Sequence, residues 1–331
     1  MRFVFRLVAL FLLAAAAIVA AFVWWANRPL DLPGEAVEFR VAPGSSLHGT
    51  IQQINAAGIP LQADLFKLLA RWQGKVNAIK AGSYATDSGE TPYTLLVKLV
   101  EGRVSQASVT LVEGWTFRQF RARLDAHPAL RHDSRTLDEA AISARLGLPW
   151  QQLEGRLLPD TYLFDKESSD LEVIARAAAA MQKQLGAAWA GRPAGLPYNS
   201  PDEALIMASI IEKETGRPED RPHVAAVFIN RLRQGMRLQT DPTVIYGLGE
   251  NFDGNLRKSH LQTDTPYNTY TRAGLPPTPI AMPGPASLRA AFQPAASDAL
   301  YFVARGDGSS HFSRTLDEHN RAVNRYQRGG K

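Results

Sequence analysis

The stretch MRFVFRLVALFLLAAAAIVAAFVWWANRPL constrains this chain more than any other. From Leu7 to Trp25 it carries no charge. About 19 residues, at about 1.5 Å each, match the roughly 30 Å hydrocarbon layer of a bilayer. Arg2 and Arg6 precede the run and favour the cytoplasmic side, and Trp24 and Trp25 suit the far interface. A cleaved signal peptide is the competing reading, with AAAAIVAAF as its small-residue region. The run is long for such a peptide, however, and bulky Phe22, Trp24 and Trp25 follow at once. The expectation is a cytoplasmic N-terminus over 1–6, an uncleaved single-pass anchor over 7–26 and a linker over 27–38. The remainder then lies outside the cytoplasm.

The 331 residues exceed one small core, so about two domains are expected. Residues that are 45% hydrophobic and 21% charged exclude global disorder. The net charge of +5 is spread along the chain rather than clustered. It therefore argues against a nucleic-acid surface and suits an acidic polymer or an anionic membrane face. Cysteine is absent, which excludes disulfides and thiolate nucleophiles. The seven histidines show no paired ligand spacing, so no metal is expected. P-loop, Gly-x-Gly-x-x-Gly and Gly-x-Ser-x-Gly patterns are missing as well, and no cofactor is expected.

Short strands alternate with capped helices, an α+β pattern. VEFRVAPG reads as a strand ending in a turn, and Ser45 or Ser46 can cap a helix carrying Leu47, Ile51 and Ile54 on one face. QADLFKLLARWQG reads as a helix with Leu65, Leu68, Leu69 and Trp72 on its apolar stripe. IKAGSYAT is a strand and TPYTLLVKLVEG a further helix. ASVTLVEGWTFRQF repeats strand, turn at Glu113-Gly114 and helix. Residues 134–186 read as mainly helical around LEGRLLPDTYLF, itself read as a structural turn. LQTDPTVIYGLG and YNTYTRAGLPPTPIAMPG read as structured loops, and the C-terminal stretch as a strand, a turn and a last helix.

One segment is different in kind. Ser200-Pro201-Asp202-Glu203 reads as a helix start with a capping box. The body that follows, ALIMASIIE, is apolar on nearly all sides, so the helix is buried. It ends in ASIIEKETG, with Glu212 on the same stripe as Ala204, Ala208 and Ile211. A carboxyl group at the mouth of an apolar helix is suited to proton donation, because desolvation favours its neutral form. Glu212 can equally be a helix-end carboxylate that pairs with Lys213 or Arg217. Glu214 is its rival, and helical geometry alone does not choose between them. Asp241 can supply a second carboxylate for a hydrolase, or can initiate a turn before Pro242. Gln239, Thr240 and Asn268 lie in loops with Tyr246, Tyr267 and Tyr270, the mix of polar groups and aromatic faces that sugar sites use; ordinary loop packing is the alternative.

ASIIEKETG, VAAVFINRLRQGMRLQTDPTVIYGLG and YNTYTRAGLPPTPIAMPG, in that order, strongly resemble the endolytic murein transglycosylases of the YceG-like family. LEGRLLPDTYLF and YFVARGDGSSHFSRTLDEHN share the resemblance, which covers about residues 36–326. It implies a small LysM-like domain over 39–106 and a YceG-like catalytic domain over 107–331. It implies cleavage of the MurNAc–GlcNAc β-1,4 bond in nascent peptidoglycan, leaving 1,6-anhydro-MurNAc ends and terminating strand elongation. The family's catalytic glutamate falls on Glu212; Gln239, Thr240, Asp241, Tyr246 and Asn268 are the candidates to line the glycan groove. Peptidoglycan strands are the expected partner, with penicillin-binding protein synthases beside them, and the expected place is the periplasmic face of a bacterial inner membrane. A muramidase using Glu212 and Asp241, or a non-catalytic glycan-binding scaffold, stays open.

Overall fold

The computed structural model describes residues 2–329; Met1, Gly330 and Lys331 lie outside the described residues. The chain divides into two compact units, Met1–Ser108 with Leu163–Ser168, and Val109–Tyr162 with Ser169–Lys331.

In the first unit, α1 (Arg2–Ala26) is the apolar helix, and it is the one helix among the described residues long and apolar enough to cross a membrane. Then come β1 (Ala36–Val41), α2 (Leu47–Ala56), α3 (Ala63–Trp72), β2 (Gly82–Asp87) and α4 (Pro92–Glu101). Strands β1 and β2 pair antiparallel, from Ala36 opposite Asp87 to Val41 opposite Gly82. Ser46 caps α2 by accepting from the Gly49 N–H at 3.2 Å. Thr91 and Thr94 form a reciprocal capping box on α4, and Gly102 ends that helix at φ 72°. Phe39, Ile51, Ile54, Phe66, Leu69, Tyr84, Leu95 and Leu99 are its buried centre. The expected stripe on α3 is displaced. Phe66, Leu69 and Ala70 are buried, whereas Leu68 and Trp72 are 50% and 66% exposed. A helix offers several overlapping stripes at this spacing, and packing against the neighbours selected the one through Phe66.

The chain then runs through β3 (Gln106–Thr110), α5 (Phe117–Asp125), β4 (Leu130–Arg131), α6 (Glu139–Arg145), β5 (Thr161–Asp165), β6 (Ser168–Ser169) and α7 (Asp170–Ala190); the division falls within β3, β5 and β6, and the rest belong to the second unit. It ends with α8 (Pro201–Glu214), α9 (Arg221–Arg233), α10 (Asp241–Leu248), α11 (Lys258–Gln262), α12 (Pro285–Phe292), β7 (Tyr301–Ala304), β8 (Ser310–Ser313) and α13 (Leu316–Tyr326). β7 and β8 form an antiparallel hairpin. Helix α8 is the axis of the core, with every residue from Ala204 to Ile211 buried. α7, α9 and α12 pack around it, and Phe228, Ile229, Leu288 and Phe292 fill the space between them.

Two further expectations need correction. DPTVIYGL is a helix, α10, rather than a loop, because Pro242 falls in its first turn, where the missing N–H costs nothing. The capping box on α8 is only half formed. Ser200 accepts from the Glu203 N–H at 3.3 Å, but the Glu203 carboxylate accepts from the Asn199 N–H at 2.7 Å instead of that of Ser200.

Candidate active site

Glu212 and Glu214 occupy the last turn of α8. Two residues along an α-helix turn the side chain by about 200°, so the two carboxylates leave the helix in different directions. Glu212 is half-buried and turned towards the segment leading into α12, where its Oε2 accepts from the Gly284 N–H at 2.9 Å. Glu214 is turned towards the start of α10, and the Thr240 hydroxyl donates to its Oε2 at 2.6 Å. Burial pushes the Glu214 carboxyl above the usual range, partly offset by that hydroxyl.

Three pieces of backbone frame Glu212. The Gly114 N–H donates to the Met282 carbonyl at 2.9 Å, and the Met282 N–H to the Trp115 carbonyl at 2.7 Å. The Ile280 N–H donates to the Ser209 hydroxyl of α8 at 3.0 Å. Lys213 reaches the Gly114 carbonyl at 3.2 Å. The turn at 113–115 and the segment 280–284 are thereby fixed to each other and to the helix end.

Glu113 is the acid that the sequence reading treated only as part of a turn. Its carboxylate lies directly over Gly284; an added Cβ there would fall 2.0 Å from the Glu113 Oε1. Gly284 has φ −77° and ψ 171°, a conformation open to any residue. Its lack of a side chain therefore serves Glu113, not the backbone. Partial burial, and then the neighbouring Glu212 charge, push the Glu113 carboxyl upwards, against the pull of Arg221. Glu113 and Glu212 thus flank one glycine at the N-terminus of α12, where the positive end of the helix dipole and the Gly284 N–H, which donates to Glu212, favour anions.

The other expected residues form two groups. Gln239 and Thr240 are held by Thr269: the Gln239 N–H donates to its carbonyl and the Thr240 N–H to its hydroxyl, both at 3.1 Å. Gln239 has φ 53°, a strained conformation outside glycine that this pairing maintains. Asp241 accepts from the Tyr270 hydroxyl at 2.6 Å. Asn268 is 1% exposed, and its amide donates to the carbonyls of His260, Leu261 and Thr263. It braces the loop from inside instead of lining a surface.

Tyr246, at the far end of α10, stacks edge-on with Tyr267 at 5.0 Å and donates to Glu154 at 3.3 Å. Glu154 is 6% exposed and also accepts from the Phe117 N–H. Burial pushes its carboxyl up to about 7, against the Phe117 hydrogen bond. The LEGRLLP turn thus holds a buried acid that the sequence reading passed over. Beside it opens a cavity of about 420 Å³ that Trp150, Gln152, Glu154, Arg156 and Thr278 help to line, with the Arg156 guanidinium 4.6 Å from the Trp150 ring. Asp125, His132 and Asp170 bring ligand atoms within 4.8 Å of one another, the arrangement among the described residues with metal-like spacing. Asp125 already faces Arg121 and Arg135, each at 3.9 Å, and Asp170 accepts from Ser134, so these groups tie α5 to α7.

Two results are expected here. Glu154 loses stability on ionising, so its penalty is absent below pH ~4.5, grows to pH ~7 and is constant above, up to about 3 kcal/mol. Glu154→Gln does not ionise. Its stability relative to the parent therefore rises across that window in urea unfolding; a flat difference contradicts the assignment. Gly155 sits at φ 76°, and an added Cβ would lie 2.4 Å from the Pro279 ring. Gly155→Ala combines left-handed strain with overpacking against a rigid ring and should cost about 2–5 kcal/mol. A loss below 1 kcal/mol, on the order of a surface change, would mean that the 279–284 segment gives way freely.

Comparison with known proteins agrees with this architecture. The chain is 32% identical over 312 residues to the endolytic murein transglycosylase of Bacillus subtilis, covering 88% of this chain and 84% of that one. It is 29% identical over 336 residues to the Streptococcus pneumoniae enzyme of the same name, covering 89% of this chain and 59% of that longer protein. The crystal structure of a yceG-like protein from Listeria monocytogenes superposes with a TM-score of 0.54 at 32% identity, covering 87% of this chain and 99% of that one. Residues 39–325 match the YceG-like family, and the chain belongs to it.

Proposed function

We propose that this protein is an endolytic lytic transglycosylase of peptidoglycan, with Glu212 as its acid and base. The observation that carries the reading is the seat of Glu212. It stands on the end of a helix whose run from Ala204 to Ile211 is wholly buried, against a turn and a segment locked to that helix, with one backbone N–H directed at its carboxylate. The Bacillus subtilis and Streptococcus pneumoniae relatives carry that activity in their names.

The chemistry requires a single group in two states. The protonated Glu212 donates its proton to the glycosidic oxygen as the C1–O bond of MurNAc breaks. The resulting carboxylate, held by the Gly284 N–H, then takes the proton from the C6 hydroxyl of the same sugar. That oxygen bonds to C1 and closes the 1,6-anhydro ring. The nucleophile is already tethered, so most of its entropy cost is absent, and neither metal nor water takes part. Gln239, Thr240, Asp241 and Tyr246, on and before α10, are our candidates for the groove, with Asn268 shaping it from behind.

A hydrolase reading draws one specific point from the geometry: the carboxylate that shares Gly284 with Glu212 is Glu113, whereas Asp241 is bonded to Tyr270. Mass spectrometry of the cut ends decides between them. Ends one water lighter than a reducing sugar support the transglycosylase; hydrated ends that depend on Glu113 support the hydrolase; intact strands with every form support a glycan-binding scaffold.

In the same reading α1 anchors the protein in the bacterial inner membrane with both units in the periplasm, and the first unit is the LysM-like domain. The anchor biases cutting towards new strands beside penicillin-binding protein synthases and so ends their elongation. A form released from the membrane that cuts old and new glycan just as the anchored one does would contradict this bias.

A further inference from the structure

We propose that the exposed face of α3, with Leu68 and Trp72, lies in the interfacial layer of the membrane that α1 crosses. The inference rests on the anchor reading of α1 and extends it to a second point of attachment. Both elements belong to the same compact unit.

The first observation is depth. The Trp72 ring lies 6.2 Å from Phe22 of α1, edge to face, and Phe22 stacks on Trp25 at 5.8 Å. Phe22 precedes Trp25 by three residues, about 5 Å further into the apolar run at 1.5 Å per residue. If the tryptophans at 24 and 25 mark the interface, a ring packed on Phe22 is at or below it. The last turns of α1 and the end of α3 therefore share one level.

The second is composition. Trp72 and Leu68 are exposed on α3, although Phe66, Leu69 and Ala70 of the same helix are fully buried. A tryptophan with most of its large ring in water costs burial that it would gain in a lipid interface, where tryptophan is enriched. The apolar patch adjoins the exposed apolar surface of α1 through the Trp72–Phe22 contact rather than standing alone.

The third is charge. Arg71 and Lys75 are exposed beside Trp72, and Lys67 lies on the same helix, paired with Asp64 at 3.2 Å. The Arg28 guanidinium sits 5.4 Å from the Trp24 ring. Apolar side chains flanked by basic ones, at the level of the headgroups, are the arrangement of a helix lying in an anionic interface. Two attachments, one spanning and one interfacial, then fix how the first unit is turned on the membrane.

The chain contains no cysteine, so single labels can be placed without background. Full-length Leu68→Cys and Trp72→Cys carry a polarity-sensitive fluorophore in vesicles of phosphatidylcholine and phosphatidylglycerol. Lipids with a nitroxide near the headgroup serve as quencher. Leu12→Cys on α1, probed with a deep nitroxide, reports the anchor, and Leu316→Cys on the second unit reports solvent. The expected result is blue-shifted emission at 68 and 72, quenched several-fold more than at 316. Quenching equal to that at 316 overturns the proposal while the Leu12 signal leaves the anchor standing. Blue-shifted emission that lipid does not quench overturns it in favour of a protein partner or a second copy. An unquenched Leu12 label overturns the anchor reading, and the inference falls with it.

Discussion

Glu212→Gln should reduce cleavage of uncross-linked glycan strands by about 10³-fold and leave the folded protein intact. The substitution keeps the shape of the side chain, and its amide oxygen can still accept from the Gly284 N–H. The residue is half-buried at a helix end, and the helix itself is held by the buried run from Ala204 to Ile211, which the change does not touch. Only the transferable proton is lost. The control is Glu214→Gln, whose amide oxygen can retain the Thr240 hydroxyl. It should lose roughly tenfold or less, well below the range for removing a general acid. Single-turnover rates with matched melting temperatures check the pair. If Glu214→Gln is the dead enzyme and Glu212→Gln the working one, the assignment is wrong.

Gly284→Ala should weaken the site by a different route. The backbone at 284 accepts alanine without strain, and the clash falls on the carboxylate of Glu113, the far end of a flexible side chain. The cheapest response is for Glu113 to swing away, so stability should fall by about 1 kcal/mol or less, the scale of a helix N-cap change. Activity should fall by about 10–100-fold, the scale of a displaced group at a pre-organised site. Glu113→Gln should lose a comparable amount, because the fold keeps the side chain but the site loses its second charge. The double variant then loses little more than either single one, since both changes remove the same carboxylate from the same place. Losses that simply multiply would show that Gly284 serves something other than Glu113.

Much of this site was legible from local rules. Ser200-Pro201 announced the start of α8, and the unbroken apolar run announced its burial, because a helix without a polar face has nowhere to go but the core. The strand, helix, helix, strand order of residues 36–87 followed from turn glycines and side-chain period. The misreadings have local causes too. Asp-Pro at 241–242 serves both a turn and a helix start, and α10 was assigned to the wrong one. The α3 stripe was chosen by counting leucines, although Phe66 and Ala70 define an equally regular face. Asn268 was judged by its polarity, whereas its three carbonyl partners lie within eight residues and make it a brace.

The sequence by itself determined that a long apolar helix stands at the N-terminus, that the body of α8 is buried, and that two rival glutamates stand at its end. These follow from periodicity, capping and the cost of exposing apolar side chains, which are properties of neighbours along the chain. Only the tertiary structure decided which way each glutamate turns, that Glu113 stands 99 residues before Glu212 in sequence yet shares Gly284 with it, and that Glu154 is a buried acid. Those outcomes depend on the 280–284 segment pairing with both the 113–115 turn and Ser209. Contacts between segments so far apart leave no period or spacing in the sequence, because each is set by where the intervening helices pack.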